Sequence, residues 1–172
     1  TEVRVVDEHD VDVPAGGEGE VLIRITGRQR DYYRDPEATA RTWAGGWLHT
    51  GDIGRLDGDG YLYVVGRDKD VIIRGGHNVH ATDVEEVLHQ HPGILDAAVV
   101  GVTHDVLGED VAAVVVPRDG HDLDPEEVVA FCRARLADYK SPRRVVVLDE
   151  LPRNATGKVL KRELADQLAD RR

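Results

Sequence analysis

Methionine is absent from the sequence, cysteine is rare and no signal peptide is recognisable, and each of these shortages narrows the kind of protein that the chain can be. It contains no methionine among 172 residues, and because translation starts with Met, we expect a processed or excised piece of a longer chain. Its one cysteine, Cys132, excludes an internal disulfide and is compatible with a reducing compartment. No secretory signal peptide is recognisable, so the expected location is cytoplasmic.

Basic residues are in the minority, and long apolar runs are missing. The chain has 22 Lys and Arg against 33 Asp and Glu, which gives a formal net charge of −11. Because phosphate backbones bind to basic surfaces, no nucleic-acid partner is expected. The longest apolar stretches, at 97–102 and 111–116, have the length of strands, whereas a membrane helix needs about 20 apolar residues. No transmembrane segment is therefore predicted.

What is present is the composition of a globular protein, with 41% hydrophobic and 32% charged residues. Residues 1–68 are predicted to form a small β-rich subdomain. Apolar residues alternate over 20–25, which predicts a half-buried strand. Two apolar runs flank an Asp/Gly turn at 57–60, which predicts a hairpin. Between them, Asp35 followed by Pro36 predicts the start of a helix.

After Gly66 the pattern changes, and residues 69–172 are predicted to form a small α+β domain. Its expected order, after a tight turn at Gly75 and Gly76, is helix, strand, strand, helix, strand, helix, with a three-stranded sheet. The strands are expected at 97–102, 111–116 and 145–148. The helices are indicated by a capping box at Thr82 and Glu85, by Asp124-Pro125, and by Leu160, Leu164 and Leu168. The fold class of the whole chain is therefore predicted to be α+β.

Several patterns resemble chemical sites but lack an essential residue. The segment 156–158 ends like a phosphate loop, but Pro152 stands where that loop needs glycine. The Asp/Gly turn at 57–60 is followed by a tyrosine where a calcium loop needs an oxygen ligand. His89 and His91 have no third ligand at a telling distance, so no metal site is predicted. Cys132, on an apolar helix face, is expected to be a buried structural thiol.

Three other segments present polar side chains on a glycine-rich backbone, at 46–52, 63–79 and 151–158. The carboxylate of Asp52 can accept from two adjacent hydroxyls, such as those of a ribose. Arg67 offers a rigid fork of donors for hydroxyl or phosphate oxygens, and Lys158 offers a mobile positive charge for a developing negative charge. Singly, they could be a turn-capping Asp, a surface Arg and a solvated Lys. Their combination favours a functional site.

Together with 19–39, these segments closely resemble the adenylate-forming (ANL) superfamily. That superfamily includes acyl-CoA synthetases, the adenylation domains of nonribosomal peptide synthetases, and luciferases. The resemblance covers nearly the whole chain, with four motifs in the family's order. It implies that 1–68 is the β-rich end of an N-terminal adenylation domain and that 69–172 is the mobile C-terminal lid domain. By the same resemblance, Lys69 is the hinge residue between them.

The resemblance also implies a role for each candidate site residue. Asp52 is expected to bind the ribose hydroxyls of the adenylate, and Arg67 to support the same ribose. Lys158 is expected to bridge the substrate carboxylate and the α-phosphate, as the catalytic residue. Gly75 and Gly76 are expected to border the channel for the pantetheine arm of CoA. The implied ligands are ATP, CoA, a small carboxylic acid and Mg²⁺, held mainly by an N-terminal part that this chain lacks.

The activity implied is that of an AMP-forming acyl-CoA ligase of the fatty-acid–CoA ligase type. The Gly-Gly-His-Asn-Val segment at 75–79 favours it over a first alternative, an adenylation domain that feeds a carrier protein. A second alternative is a stand-alone binding module without catalysis. Because no phosphate loop or acid pocket is present, the 172-residue chain alone is expected to be inactive. Edges left without neighbours are expected to promote self-association.

Overall fold

The computed structural model describes residues 1–27 and 31–169. The chain divides into two compact units, 1–69 and 70–172. Each unit contains its own five-stranded sheet. The described part of the chain has no helix with the length and apolar character needed to cross a membrane.

The first unit is an antiparallel sheet with one short helix. Its elements are β1 (Glu2–Val6), β2 (Glu18–Arg24), α1 (Pro36–Thr42), β3 (Trp43–Ala44), β4 (Trp47–Leu56) and β5 (Leu62–Arg67). The long strand β4 is central. It pairs antiparallel with β2, with the short β3 and with β5. The buried hydrophobic side chains are two neighbouring residues of β1 and two of β2, namely Val5, Val6, Val21 and Leu22. The alternation predicted over 20–25 does not appear in the burial, since Ile25 is 52% exposed.

The predicted helix start and hairpin of the first unit are confirmed. Helix α1 begins after Asp35, whose side chain accepts a hydrogen bond from the backbone N–H of Ala38 at 2.8 Å. The hairpin joins β4 to β5, and one oxygen of Asp57 accepts from the backbone N–H groups of Asp59 and Tyr61. The Tyr61 N–H, as the main cause, holds the pKa of the Asp57 carboxyl below its usual value.

The second unit has strands and helices in nearly the predicted order. They are β6 (Val71–Arg74), β7 (His77–His80), α2 (Ala81–His89), β8 (Ile94–His104), β9 (Gly108–Pro117), α3 (Pro125–Arg133), β10 (Arg144–Val147) and α4 (Lys161–Ala169). Strand β9 is central, antiparallel to β8 along its full length and parallel to β10. The α+β class is confirmed.

The sheet of this unit is larger than the three strands predicted for it. The turn at Gly75 and Gly76 closes a hairpin of β6 and β7, and this hairpin joins the sheet where Arg74 pairs with Gly108. A carboxylate oxygen of Glu109 accepts from the backbone N–H of Ile73 at 2.8 Å and holds the same junction. The sequences of β6 and β7, four residues each, carry no signal for a distant partner strand. The prediction was therefore limited to three strands.

The apolar runs of β8 and β9 are buried on both faces. One face packs against α2 and α3 through a cluster that includes Val99, Ala113, Leu88 and Cys132. The opposite face packs against α4 through a second cluster that includes Val100, Val114, Leu164 and Leu168. A strand covered on both faces shows continuous apolar sequence rather than alternation, which accounts for the runs at 97–102 and 111–116.

The predicted capping box at Thr82 and Glu85 is wrong. Helix α2 begins at Ala81, and its N-cap residue, His80, makes no side-chain capping bond. Glu85 instead accepts from the backbone N–H of Val99 in β8 at 2.8 Å and pairs with Lys161 at the same distance. The ion pair with Lys161 adds to this charge-assisted hydrogen bond, so Glu85 ties α2 to β8 and α4. By contrast, the predicted cap of α3 by Asp124 is confirmed.

A buried ion pair fixes the connection between α3 and β10. The Arg74 side chain lies 2.8 Å from Asp110, and the two residues are only 3% and 7% exposed. The same guanidinium donates to the backbone carbonyls of Asp138, Tyr139 and Ser141. These bonds supply the partners that a buried charge requires.

Candidate functional site

Asp52 and Arg67 are neighbours on adjacent strands of the first unit. They are paired in the register of β4 and β5, and the Arg67 Nε donates to Asp52 Oδ1 at 2.9 Å. Their side chains are 34% and 40% exposed. A carboxylate has two oxygens and a guanidinium five N–H donors, so this single bond leaves both groups with capacity for a ligand.

The backbone at Asp52 is bulged out of the regular ladder. In the pairing of β2 with β4, Glu20 lies opposite Ile53 and Leu22 lies opposite His49, so residues 50–52 face Val21 alone. Gly51 has a φ of +68°, in the left-handed region that favours glycine. Bulges redirect side chains and are frequent beside functional sites. This irregularity sets the direction in which Asp52 leaves the strand.

Thr50 closes one side of this bulge, a role that the sequence analysis missed. Its hydroxyl donates to the carbonyl of Val21 at 2.7 Å and accepts from the backbone N–H of Asp52 at 3.0 Å. The signal available in the sequence was a hydroxyl directly before Gly51, because a Ser or Thr side chain often bonds the backbone two residues later.

Lys158 ends an exposed turn in the second unit, between β10 and α4. The turn is organised by Asn154, whose Oδ1 accepts from the N–H of Thr156 at 3.0 Å, from its hydroxyl at 2.8 Å, and from the N–H of Lys158 at 2.9 Å. Gly157 has a φ of +84°, so it provides the left-handed residue of the turn. The backbone of Lys158 is therefore fixed while its long side chain stays exposed.

Arg153 attaches this turn to the sheet. Its guanidinium donates to the carbonyl of Gly157 at 2.7 Å and to a carboxylate oxygen of Asp96 in β8. Neither Asn154 nor Arg153 was singled out from the sequence. Their contacts run through side-chain oxygens and one distant strand, so residue spacing alone did not reveal them.

The remaining predicted site residues lie at turns. Lys69 is in a short helical turn, Asp68–Asp70, at the boundary where the first unit ends. Gly75 and Gly76 form the tip of the β6–β7 hairpin with φ values of +57° and +83°. The N–H of Gly75 donates to the carbonyl of Leu107 at 2.9 Å, and a Cβ on Gly76 would meet no atom within 4 Å. The structure thus brings Asp52 and Arg67 together, whereas Lys158 and the two glycines belong to the second unit.

The other candidate groups do not form a site. Cys132 is fully buried on α3, and burial raises the pKa of its thiol to about 11. His91 packs edge-on against Phe131, with ring centres 4.8 Å apart. Over residues 1–27 and 31–169, no three His, Cys, Asp or Glu side chains are grouped so that they could hold a metal ion.

The second unit matches a family model described as the AMP-binding enzyme C-terminal domain, over residues 83–158. Two relatives match nearly the whole chain. One is a 2-succinylbenzoate–CoA ligase of Bacillus cereus, 45% identical over 159 residues, which are 92% of this chain and 33% of that protein. The other is a feruloyl-CoA synthase of an Amycolatopsis species, 43% identical over 164 residues, with 95% and 33% covered.

The fold also matches that of solved enzymes. ATP-bound MatB from Rhodopseudomonas palustris superposes with a TM-score of 0.91 at 36% identity, covering 98% of this chain and 34% of that one. The chain therefore spans about a third of the length of the proteins that it matches.

Proposed function

Because the chain belongs to the adenylate-forming superfamily, we propose that it is the carboxy-terminal third of an AMP-forming acyl-CoA ligase. The observation that carries the proposal is the bulged, half-exposed pair of Asp52 and Arg67 in a chain 45% identical to a CoA ligase. Residues 1–68 are proposed as the end of the adenylation domain, residues 69–172 as its lid, and Lys69 as the hinge.

In the first half-reaction, a carboxylate oxygen of the acid bonds to the α-phosphorus of ATP, and the bond to the bridging oxygen of pyrophosphate breaks. The Asp52 carboxylate accepts hydrogen bonds from the ribose hydroxyls, and Arg67 holds that carboxylate in place. Lys158 lies between two anions that repel each other, the acid and the α-phosphate. Removal of one well-placed charge donor of this kind lowers a rate by about 10² to 10³.

In the second half-reaction, the CoA sulfur bonds to the acyl carbon, its proton is lost, and AMP leaves with the carboxylate oxygen it gained. The lid turns about Lys69, which withdraws Lys158 and brings the Gly75-Gly76 hairpin to the acceptor. Hinge residues absorb such backbone changes and often set turnover. The position that a Cβ of Gly76 would occupy has no atom within 4 Å, so without a side chain that space is free for a narrow ligand.

The described residues contain no group of three His, Cys, Asp or Glu side chains that could hold a metal ion by themselves. Mg²⁺ is usually bound by one or two carboxylates together with substrate phosphates. Because the chain spans about a third of the length of its relatives, Mg²⁺ and most contacts to ATP are proposed to belong to residues outside the chain. Because its sequence has no phosphate loop, the 172-residue chain alone is proposed to be inactive.

The substrate class is a small carboxylic acid, and a fatty acid is one candidate within it. The two relatives are named for 2-succinylbenzoate and for feruloyl-CoA. Both names contain CoA, which favours CoA over a carrier protein as the acceptor. The enzyme is proposed to work in the cytoplasm. Exposed apolar side chains on β5, Leu62 and Val64 among them, are proposed to promote self-association of the isolated chain.

The test is a grafted ligase, in which this chain replaces the matching third of the B. cereus enzyme. It should form an acyl-adenylate and then the CoA thioester. Lys158→Ala should slow acyl-AMP formation by about 10² to 10³, yet leave thioester formation from supplied acyl-AMP nearly unchanged. Arg162→Ala, which removes a nearby exposed positive charge, is the matched control.

Three results would contradict the proposal. A folded graft that makes no acyl-AMP would exclude an adenylating role for this chain. A Lys158→Ala graft that makes acyl-AMP at the full rate would show that Lys158 is not a catalytic residue. Detectable ATP–pyrophosphate exchange by the 172-residue chain alone would show that the nucleotide site lies within it.

A further inference from the structure

Glu20 joins two residues of the neighbouring strand with its two carboxylate oxygens. Its Oε1 accepts from the backbone N–H of Gly51 at 2.9 Å. Its Oε2 lies 2.9 Å from Nδ1 of His49, and the two side chains are 28% and 19% exposed. A half-buried carboxylate with two partners on one strand has a more specific role than a surface charge.

The bulge explains why this carboxylate is needed. Residues 50–52 face Val21 alone, so the Gly51 N–H bonds to a side chain in place of a strand partner. A partly buried donor without a partner is unfavourable, so the bond from Glu20 stabilises the left-handed Gly51. Glu20 replaces the missing ladder bond, while Thr50 closes the other side of the bulge.

The protonation of His49 follows from the same contact. An ionised carboxylate only accepts hydrogen bonds, so the proton between the two side chains is on Nδ1 of His49. Glu20 therefore fixes the position of the Gly51 amide and the tautomer of the His49 ring. Asp52 is the next residue after Gly51, and its direction depends on where that amide is held.

We propose that Glu20 is a positioning residue for Asp52, acting through the Gly51 amide and the His49 ring. The ribose-binding role of Asp52 rests on the proposed function, but the positioning role itself rests only on contacts within the first unit. Glu20 lies in the segment 19–39 that took part in the family resemblance, but no role was predicted for it, because its partners lie about 30 residues away in the chain.

The first experiment uses the 172-residue chain and amide hydrogen exchange by NMR. In Glu20→Ala the Gly51 amide should exchange about tenfold faster or more, as expected for loss of a hydrogen bond to a charged group. Core amides such as that of Leu22 should keep their rates. Glu2→Ala removes a carboxylate of the same sheet that pairs with Arg24 instead, and it should leave Gly51 unchanged. An unchanged Gly51 rate in Glu20→Ala, or equal acceleration of all amides, overturns the proposal.

The second experiment uses Glu20→Gln, which keeps the size and hydrogen-bonding reach of the side chain. The Gln oxygen should still accept from Gly51, so its NH₂ group must face Nδ1 of His49. The ring should then move its proton to Nε2, a change that the nitrogen chemical shifts of His49 report. A ring that keeps its proton on Nδ1 in Glu20→Gln contradicts the proposed contact.

The grafted ligase separates this proposal from the proposed function. Glu20→Ala should raise KM for ATP by about tenfold with a smaller effect on kcat, because a ribose contact acts equally in the ground and transition states. Glu20→Gln should restore most of that loss. Faster Gly51 exchange with an unchanged KM would uphold the positioning role of Glu20 and overturn ribose binding by Asp52.

Discussion

Asp52 and Arg67 form a half-exposed ion pair across β4 and β5, while Arg74 and Asp110 form a buried one in the second unit. The two pairs have nearly the same separation, 2.9 Å and 2.8 Å. Exposed pairs contribute about 0–1 kcal/mol to stability. Breaking a buried pair by removing one partner costs about 3–5 kcal/mol. The first pair is therefore suited to ligand binding and the second to holding the fold.

Removal of either partner of the exposed pair should leave the first unit folded. Asp52→Ala and Arg67→Ala are each expected to change the free energy of unfolding by less than about 1 kcal/mol. Both tryptophans, Trp43 and Trp47, lie in this unit, so urea unfolding followed by tryptophan fluorescence measures it selectively. In the grafted ligase the same variants should raise KM for ATP. A large loss of stability would show that the pair is structural.

Removal of one partner of the buried pair should destabilise the second unit. Asp110→Ala leaves Arg74 charged and buried, and a loss of about 3–5 kcal/mol is expected. Circular dichroism follows helix loss in both units, and the tryptophan signal of the first unit should stay at its original midpoint. If the second unit keeps its stability in Asp110→Ala, the three carbonyl partners of Arg74 alone must satisfy the guanidinium.

Loss of the Asn154 side chain should loosen the turn that carries Lys158. Asn154→Ala removes three hydrogen bonds to an exposed turn, so little global destabilisation is expected but the Lys158 amide should exchange faster. In the grafted ligase we expect acyl-AMP formation to fall by about tenfold, since a misplaced catalytic group loses much of its effect. Gln167→Ala, which removes an exposed amide side chain from α4, is the control. Equal rates in the two variants would contradict a positioning role for Asn154.

Cys132 should be unreactive in the folded chain. Its thiol pKa is raised to about 11 by burial, so at pH 8 only about one thiol in a thousand is ionised, and the thiolate is the reactive form. Ellman's reagent should give no colour without urea and one equivalent with it. Rapid reaction in the native state would show that α3 opens readily.

The same pKa shift predicts a pH dependence with a definite sign. The folded-state pKa lies above the unfolded value of about 8.5, so the neutral thiol contributes stability below that pH. This contribution is lost as the pH rises toward 11. The stability difference between the original chain and Cys132→Ala should therefore shrink between pH 8 and pH 10.5. A constant difference would contradict a buried, neutral thiol.

Local signals were sufficient for much of the fold. Asp35-Pro36 and Asp124-Pro125 fix helix starts through contacts within a few residues, and the Asp57 turn fixes its hairpin in the same way. The capping box failed because Glu85 bonds to a strand and a lysine far along the chain. The predicted number of strands in the second sheet was wrong for the same reason, since a single long-range junction joins the β6–β7 hairpin to that sheet.

The candidate site was predictable only in part. Asp52, Arg67 and Lys158 stand in recognisable segments, and their roles remain proposals to be tested. The contacts that position these residues were not predicted, because the side-chain oxygens of Glu20 and Asn154 accept from backbone N–H groups. The bulge places residues 50–52 opposite Val21. It depends on how β2 pairs with β4, and the residue pattern of a single strand does not predict that pairing.

Helices on both faces of the second sheet have a consequence for how this unit can be exchanged between proteins. Both apolar clusters draw only on residues after position 70, so the interior of this unit is complete in itself. A unit with a self-contained interior can be transferred at a junction such as Lys69–Asp70 without a change in its own core. Recombination at that junction would therefore exchange the second unit as a whole, with its core side chains already in contact.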